Sequence, residues 1–208
     1  MVRSAMITIC TLLWDANPRS LSFSLMYNES WVEKLYRGFA RNLTQPFDFI
    51  CFTERERQFS EPIETRGFIR HPIDYGSCIE PYRLGVPMIL VGLDTIIVDN
   101  IDHLADYCFD NDRIALPRAV YKPNTVCNGV ALVPEGNERI YSRWRGENDM
   151  EWMRKQRPRI IDDIWPGQVV SYKGRVREHG LEGARIVFFH GEQKPHQLGQ
   201  RWIREHWR

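Results

Sequence analysis

The sequence lacks most of the patterns that announce a function. No apolar run approaches the roughly 20 residues that a membrane-spanning helix needs. The five cysteines (Cys10, Cys51, Cys78, Cys108 and Cys127) are scattered, odd in number and never spaced Cys-x-x-Cys. That spacing argues against a structural zinc site and fits free thiols in a reducing, cytoplasmic setting. No Walker A loop, G-x-G-x-x-G fingerprint or G-x-S-x-G elbow occurs, which lowers the prospects of a P-loop NTPase, a dinucleotide oxidoreductase and a serine hydrolase. The N-terminal run "MVRSAMITICTLLWDANP" has no clear small-residue cleavage site, and its β-branched residues suit a first core strand. Without a secretion signal, the glycosylation sequons at Asn28 and Asn42 read as chance. A strong net charge is also missing: the formal value is +1, which argues against general nucleic-acid binding.

What is present is a globular composition of 208 residues, 43% hydrophobic and 26% charged, enough for one domain with a sizeable core. The charge is unevenly spread. Residues 1–138 carry 13 Lys/Arg against 18 Asp/Glu, and residues 139–208 carry 15 against 9. A cation would favour the first part and an anionic ligand the second.

Strand-like and helical patterns alternate. "MITICTLL", "FDFICFTE", "PMILVGL", "TIIV", "DRIALP", "CNGVALVP", "QVVSYKG" and "ARIVFFHG" read as strands, with a short one near "TRGFI". "NESWVEKLYRGFARNL" places Trp31, Leu35 and Phe39 on one helical face, with Asn28 or Ser30 as N-cap. "NIDHLADYCF", "GNERIYSRWRG", "NDMEWMRKQR" and "QRWIREHWR" read as further helices. The class is α/β, with a mixed, mostly parallel sheet.

Polar groups recur at the strand ends. They are Asp15 and Asn17, Thr53 and Glu54, Asp94, Asn128-Gly129, His190-Gly191, and Lys194 before Pro195. Each alone reads as a turn residue, a cap or a satisfied core group. Together they suggest a cleft along one sheet edge, where open α/β sheets bind ligands. Asp94 stands out, because it interrupts the apolar run "VPMILVGLDTIIVDNID". It either caps a turn or holds a cation, and a lone buried carboxylate must be paired, protonated or metal-bound.

"GLDTIIVDNIDHL", "CNGVALV", "ENDMEWM" and "FFHGEQKPH", in this order and spacing, resemble the GT-A fold glycosyltransferases. The likeness is nearest the glycogenin-like and bacterial lipopolysaccharide glycosyltransferase group, with compact bacterial and phage relatives. The resemblance implies one Rossmann-like domain over 1–208. Residues 1–105 form its nucleotide-binding half, and 106–208 its sugar and acceptor half with a basic C-terminal helix. It implies sugar transfer from a nucleotide-diphosphate sugar, UDP-linked in that group and with retention, to a glycan, a small molecule or modified DNA. Carried onto this chain, it makes Asp94 and His190 ligands of Mn²⁺ or Mg²⁺, shared if need be with Asp99 or Asp102. Thr11, Asp15, Thr53, Gly191 and Lys194 become donor contacts, and Asn128 and Asp149 catalytic residues at the sugar. The chain departs from the pattern at four places. Gly92 replaces the first Asp of Asp-x-Asp, and Asn128 is displaced by one residue. Phe188 stands where the ligand His falls, and His196 replaces a Trp. The segment before Asp94 is also short, so a donor-binding helix is expected to be trimmed. Two other readings compete: a non-catalytic descendant that binds nucleotide-sugar or glycan, and a polyanion module built on the aromatics and arginines of "RWIREHWR".

Overall fold

A computed structural model describes residues 6–208. Residues 1–5, the start of the N-terminal run read above as strand, lie outside the described residues. The first strand, β1 (Ile7–Leu13), is buried at all seven positions. Both of its faces are covered, so it reads as a continuous apolar run rather than an alternation. A loop leads to a single turn, α1 (Leu21–Ser24), and then to α2 (Glu29–Asn42). Asn28 caps α2 by accepting the Ser30 N–H, and Trp31, Val32, Leu35, Gly38 and Phe39 form its buried face. Burying a large apolar side chain fully contributes about 1.5–3 kcal/mol, so this face anchors the helix to the sheet. At Gly38 a Cβ would touch Ile97 at 3.4 Å, so the helix packs against the following strands at close range.

The chain continues through β2 (Phe47–Thr53), β3 (Glu64–Gly67), a 3-10 helix (Tyr75–Leu84), β4 (Met88–Val91), β5 (Thr95–Ile97) and α3 (Asp102–Asp110). Next come β6 (Ala115–Leu116), a hairpin of β7 (Arg118–Ala119) and β8 (Lys122–Val126), and β9 (Val130–Val133). The remainder is α4 (Arg139–Ser142), α5 (Asp149–Lys155), β10 (Arg159–Ile160), α6 (Ile161–Ile164), β11 (Val169–Ser171), α7 (Arg177–His179), β12 (Ile186–Phe188) and α8 (Arg201–His206). The main sheet has the order β10-β6-β9-β4-β1-β2-β3. Strands β4, β1, β2 and β3 run parallel, and β9 is antiparallel to both β4 and β6. A second sheet, β11-β12-β5, pairs β12 antiparallel to β5. The expected α/β class with a mixed, mostly parallel sheet is therefore what the chain adopts.

Several elements differ from expectation, and three are informative. The helix read over "GNERIYSRWRG" is only the single turn α4; Gly146, with φ +104°, lies beyond its end. The expected trimming before Asp94 coexists with the ten-residue 3-10 helix. Asp74 caps that helix through Gly76 N–H, and Gly85 closes it at φ +65°. Pro81 inside it and a weak apolar periodicity hide it from sequence reading. The hairpin β7/β8 is the third, flanked by Pro117 and carrying Pro123.

Glu80 on the 3-10 helix is fully buried and accepts the backbone N–H groups of Ile69 and Arg70, both at 2.8 Å. It ties the loop after β3 to the core. Glu80→Gln keeps one acceptor oxygen and turns the other into a donor facing an N–H. The expected cost is about 1–2 kcal/mol in a urea titration; no change would mean that the loop satisfies its own N–H groups.

The terminal helix packs its aromatics inward. Trp207 meets Trp31 at 4.8 Å between ring centroids, and Trp202 stacks on Phe189 at 6.5 Å and 22°. Those rings are engaged with the fold, which removes the aromatic half of the polyanion reading. Among the described residues, no helix is long and apolar enough to cross a membrane.

Candidate functional site

Parallel strands β1, β2 and β4 all end on one edge of the main sheet, at Leu13, Thr53 and Val91. The turn Gly92-Leu93-Asp94 leaves β4 there. It is pinned from two sides: Gly92 N–H donates to Gly129 O at 3.0 Å, and Phe189 N–H donates to Asp94 O at 3.0 Å. The fold thus brings residues near 92, 129 and 189 together through backbone bonds alone.

Two cavities flank this turn. One, of about 190 Å³, is lined by Leu12, Trp14, Tyr27, Tyr75, Gly92 and Asp94. The other, of about 330 Å³, is lined by Tyr121, Asn128, Gly129, Met150, Phe188 and His190. A narrow space of about 60 Å³ shares Leu12 and Gly92 with the first and Asn128 with the second. Asp94 and the pair Asn128–His190 therefore line adjoining depressions joined by this narrow space. Asp149 lines an open groove with Arg19, Arg70, His71 and Asp74.

Asn128 and Asp149 meet directly, the Asn128 amide donating to Asp149 Oδ2 at 2.6 Å. Asn148, not Asp149, caps α5, by accepting the Glu151 N–H. Asp149 is thus not the N-cap residue, although its carboxyl also meets backbone N–H groups at the start of α5. Burial pushes its carboxyl above the ordinary value of 3.8, against the pull of the Asn128 hydrogen bond.

Asp94 answers the question its sequence setting raised. Its Oδ2 accepts from Tyr27 OH at 3.1 Å and from the Lys194 ammonium. Both charges are sequestered, with side chains 15% and 4% exposed. The cation beside Asp94 is therefore a lysine 100 residues away in sequence. Lys194 stands behind Asp94 instead of lining either cavity. His190 Nε2 lies 2.8 Å from Ser171 Oγ, and burial together with Lys173 and Lys194 lowers its pKa. Gly191 adopts φ +75° with open space around its missing side chain, so the turn's conformation is what requires glycine.

These residues do not fit a divalent metal ion. Gly92 offers no oxygen, one Asp94 oxygen already accepts two hydrogen bonds, and His190 faces Ser171. Asp102 binds Thr44 and Asn100, and Asp99 pairs with Arg185, so neither completes the set. Among the described residues, no group of three or more His, Cys, Asp or Glu side chains could hold a metal. In this arrangement the Asp94 and His190 side chains expected to hold Mn²⁺ or Mg²⁺ are instead engaged with Lys194, Tyr27 and Ser171.

The donor-side candidates divide. Thr11 is fully buried and its hydroxyl donates to Val91 O at 2.9 Å, lacing β1 to β4. Thr53 is also buried, accepting from Arg57 Nε at 2.7 Å. Asp15 remains at the surface, paired with Arg55 and Arg57 at 2.8 Å each. The centre of this cluster, Arg57, escaped sequence reading because "TERERQ" looks like a solvated charge run. Its side chain is 1% exposed and reaches Glu29 and Glu54 as well. The arginine hydrogen bonds hold the Asp15 carboxyl well below its ordinary 3.8. A depressed carboxylate contributes stability that is complete above its unfolded pKa and lost as pH falls through the folded one. Stability is therefore expected to drop between roughly pH 5 and pH 2, and removing both Arg55, the larger cause, and Arg57 (Arg55→Met with Arg57→Met) should flatten that limb. Parallel acid limbs for both proteins in thermal unfolding would remove the cluster as its origin.

The free thiols are held protonated at neutral pH. Burial pushes Cys51 to about 12 and Cys127, on the wall of the second cavity, to about 11.

Comparison with solved structures identifies the fold. GlyE, a glycosyltransferase of Streptococcus pneumoniae TIGR4, superposes with a TM-score of 0.63 at 11% identity, covering 97% of this chain and 59% of that one. WbbM, a bifunctional glycosyltransferase, gives 0.57 at 9% identity, covering 94% of this chain and 47% of that one. The galactosyltransferase LgtC, solved with donor and acceptor sugar analogs, gives 0.51 at 9% identity, covering 91% and 89%. The chain thus spans about half to three fifths of the first two and most of the third. No family model and no curated protein matches the sequence. The fold is the GT-A glycosyltransferase fold.

Proposed function

We propose that the protein is a glycosyltransferase that moves a sugar from a nucleotide-diphosphate donor to an acceptor hydroxyl. The observation that carries this reading is the Asn128–Asp149 pair beside the Gly92–Asp94 turn, at the carboxyl ends of the parallel strands of a GT-A sheet. In such a transfer the bond between the sugar's anomeric carbon and the diphosphate oxygen breaks, and its electron pair leaves with the diphosphate. The acceptor oxygen bonds to that carbon and gives up its proton. Asp149, oriented by Asn128, supplies a carboxylate for the sugar or the incoming hydroxyl. Asp15, at the end of β1, lies on the donor side, where a nucleoside would meet the strand ends. Retention of configuration and a glycan acceptor follow the resemblance and the ligands of LgtC.

The test is a panel of sugar nucleotides with release of nucleoside diphosphate as the readout. Slow hydrolysis of one donor in the absence of acceptor is expected, because water can replace the acceptor. No binding and no hydrolysis of any donor would end the reading. Gly92 and the filled Asp94 site favour a second one, a non-catalytic descendant that binds a sugar nucleotide without turnover. Saturable binding with no hydrolysis and no transfer would select it.

A further inference from the structure

We propose that the Lys194 ammonium is the resident cation of this site, so that it binds a nucleoside diphosphate without a divalent metal ion. The inference rests on the glycosyltransferase reading for the ligand, but its structural basis is independent of it. Asp94 and Lys194 together carry no net charge, so an arriving Mg²⁺ or Mn²⁺ meets no electrostatic well. It meets instead an ammonium in direct contact with the Asp94 carboxylate. Hard cations need several oxygen ligands, and the turn supplies few. Gly92 does not simply leave room for another ligand. A Cβ there would lie 3.1 Å from Asp94 Oδ1, so any side chain at 92 presses on the carboxylate that Lys194 and Tyr27 hold.

The lysine is also built in rather than loosely placed. Lys194 N–H donates to Gln197 Oε1 at 2.9 Å, Pro195 fixes the next residue, and the His196 ring packs on Trp31 at 5.3 Å. The segment cannot swing away to admit a metal without breaking these contacts. Lys194 lines neither cavity, so it acts through Asp94: it neutralises the carboxylate on the wall of the first cavity, whose charge would otherwise repel an entering diphosphate.

The test is calorimetry of UDP binding in EDTA and in millimolar Mn²⁺, with a Mn²⁺ titration of the protein alone followed by electron paramagnetic resonance. UDP affinity is expected to agree within about twofold between the two buffers, since two ligands without coupling leave each other's affinity unchanged. The protein alone should retain no Mn²⁺. A tenfold or greater tightening of UDP by Mn²⁺, or one Mn²⁺ retained per chain and lost in Asp94→Asn, would overturn the proposal. Lys194→Met, shown folded by circular dichroism, should lose at least about tenfold in UDP affinity in EDTA. If that variant does not fold, the wild-type comparison decides alone. UDP binding in neither buffer would overturn the proposal and, once the other sugar nucleotides also fail, the glycosyltransferase reading with it. The Mn²⁺ titration would then still show whether Lys194 excludes a metal from Asp94.

Discussion

Arg57→Met is expected to cost about 3–5 kcal/mol of folding free energy, the range for breaking a buried ion pair from one side. For a chain of this size that corresponds to a fall in Tm of roughly 6–20 °C. The side chain is 1% exposed and donates four hydrogen bonds of 2.7–2.8 Å, to Thr53 Oγ1, Glu29, Asp15 and Glu54. Those partners belong to three different pieces of chain: the end of β2 with the residue that follows it, the first turn of α2, and the loop after β1. One guanidinium therefore fixes the corner of the sheet where β1 and β2 end. Its loss leaves Glu54 and Glu29, 21% and 34% exposed, without their closest cation. Arg55 stays beside Asp15 and Glu29 and softens the effect. Arg57→Lys should fall between, because a single ammonium cannot span three carboxylates in the fixed geometry of a guanidinium. Urea denaturation of the three proteins measures this. A loss below about 1 kcal/mol for Arg57→Met would place the cluster with ordinary surface pairs.

The main elements were legible because local pattern and burial agree. The face Trp31, Leu35 and Phe39 predicts α2, and Asn28 caps it as its side chain suggests. Strands β1, β4 and β9 are apolar runs of the right length, bounded by turn residues. Reading failed where tertiary contacts override local signal. The 3-10 helix Tyr75–Leu84 contains a proline and buries Glu80, which looks like a surface charge until the backbone it serves is seen. The partners of the candidate site residues were not legible. Asn128 and Asp149, 21 residues apart, and Asp94 and Lys194, 100 residues apart, share no periodicity that could announce a contact. The sequence allows a buried Asp94 to be paired, protonated or metal-bound. Only the packing of the Lys194–Gln197 turn on Trp31 selects the first.

Asp149→Asn is expected to separate function from stability. If Asp149 serves the sugar or the acceptor hydroxyl, replacing its charge with an amide should lower transfer by about 10²–10⁴-fold, the usual contribution of a positioned acid or base. The same change should leave the fold intact or strengthen it. The substituted amide keeps a carbonyl oxygen for the Asn128 side chain, and Asn148 continues to cap α5. The burial that raises the Asp149 pKa also means that its ionised form is held at a cost in the folded protein. Because the folded pKa lies above the unfolded one, the wild type loses stability as pH rises from the unfolded value through the folded one. The advantage of the variant is therefore absent in acid, where both proteins are neutral at this position. It grows to its full value above the folded pKa. Donor affinity should change little, since the Asp94–Lys194 pair and the β1 end are untouched. Unfolding curves at several pH values, set beside turnover and donor binding, check every part. A variant that transfers sugar at the wild-type rate would leave Asp149 as a buried partner of Asn128 and nothing more. A variant that loses stability at neutral pH would mean that the Asn128 hydrogen bond outweighs the burial of the charge.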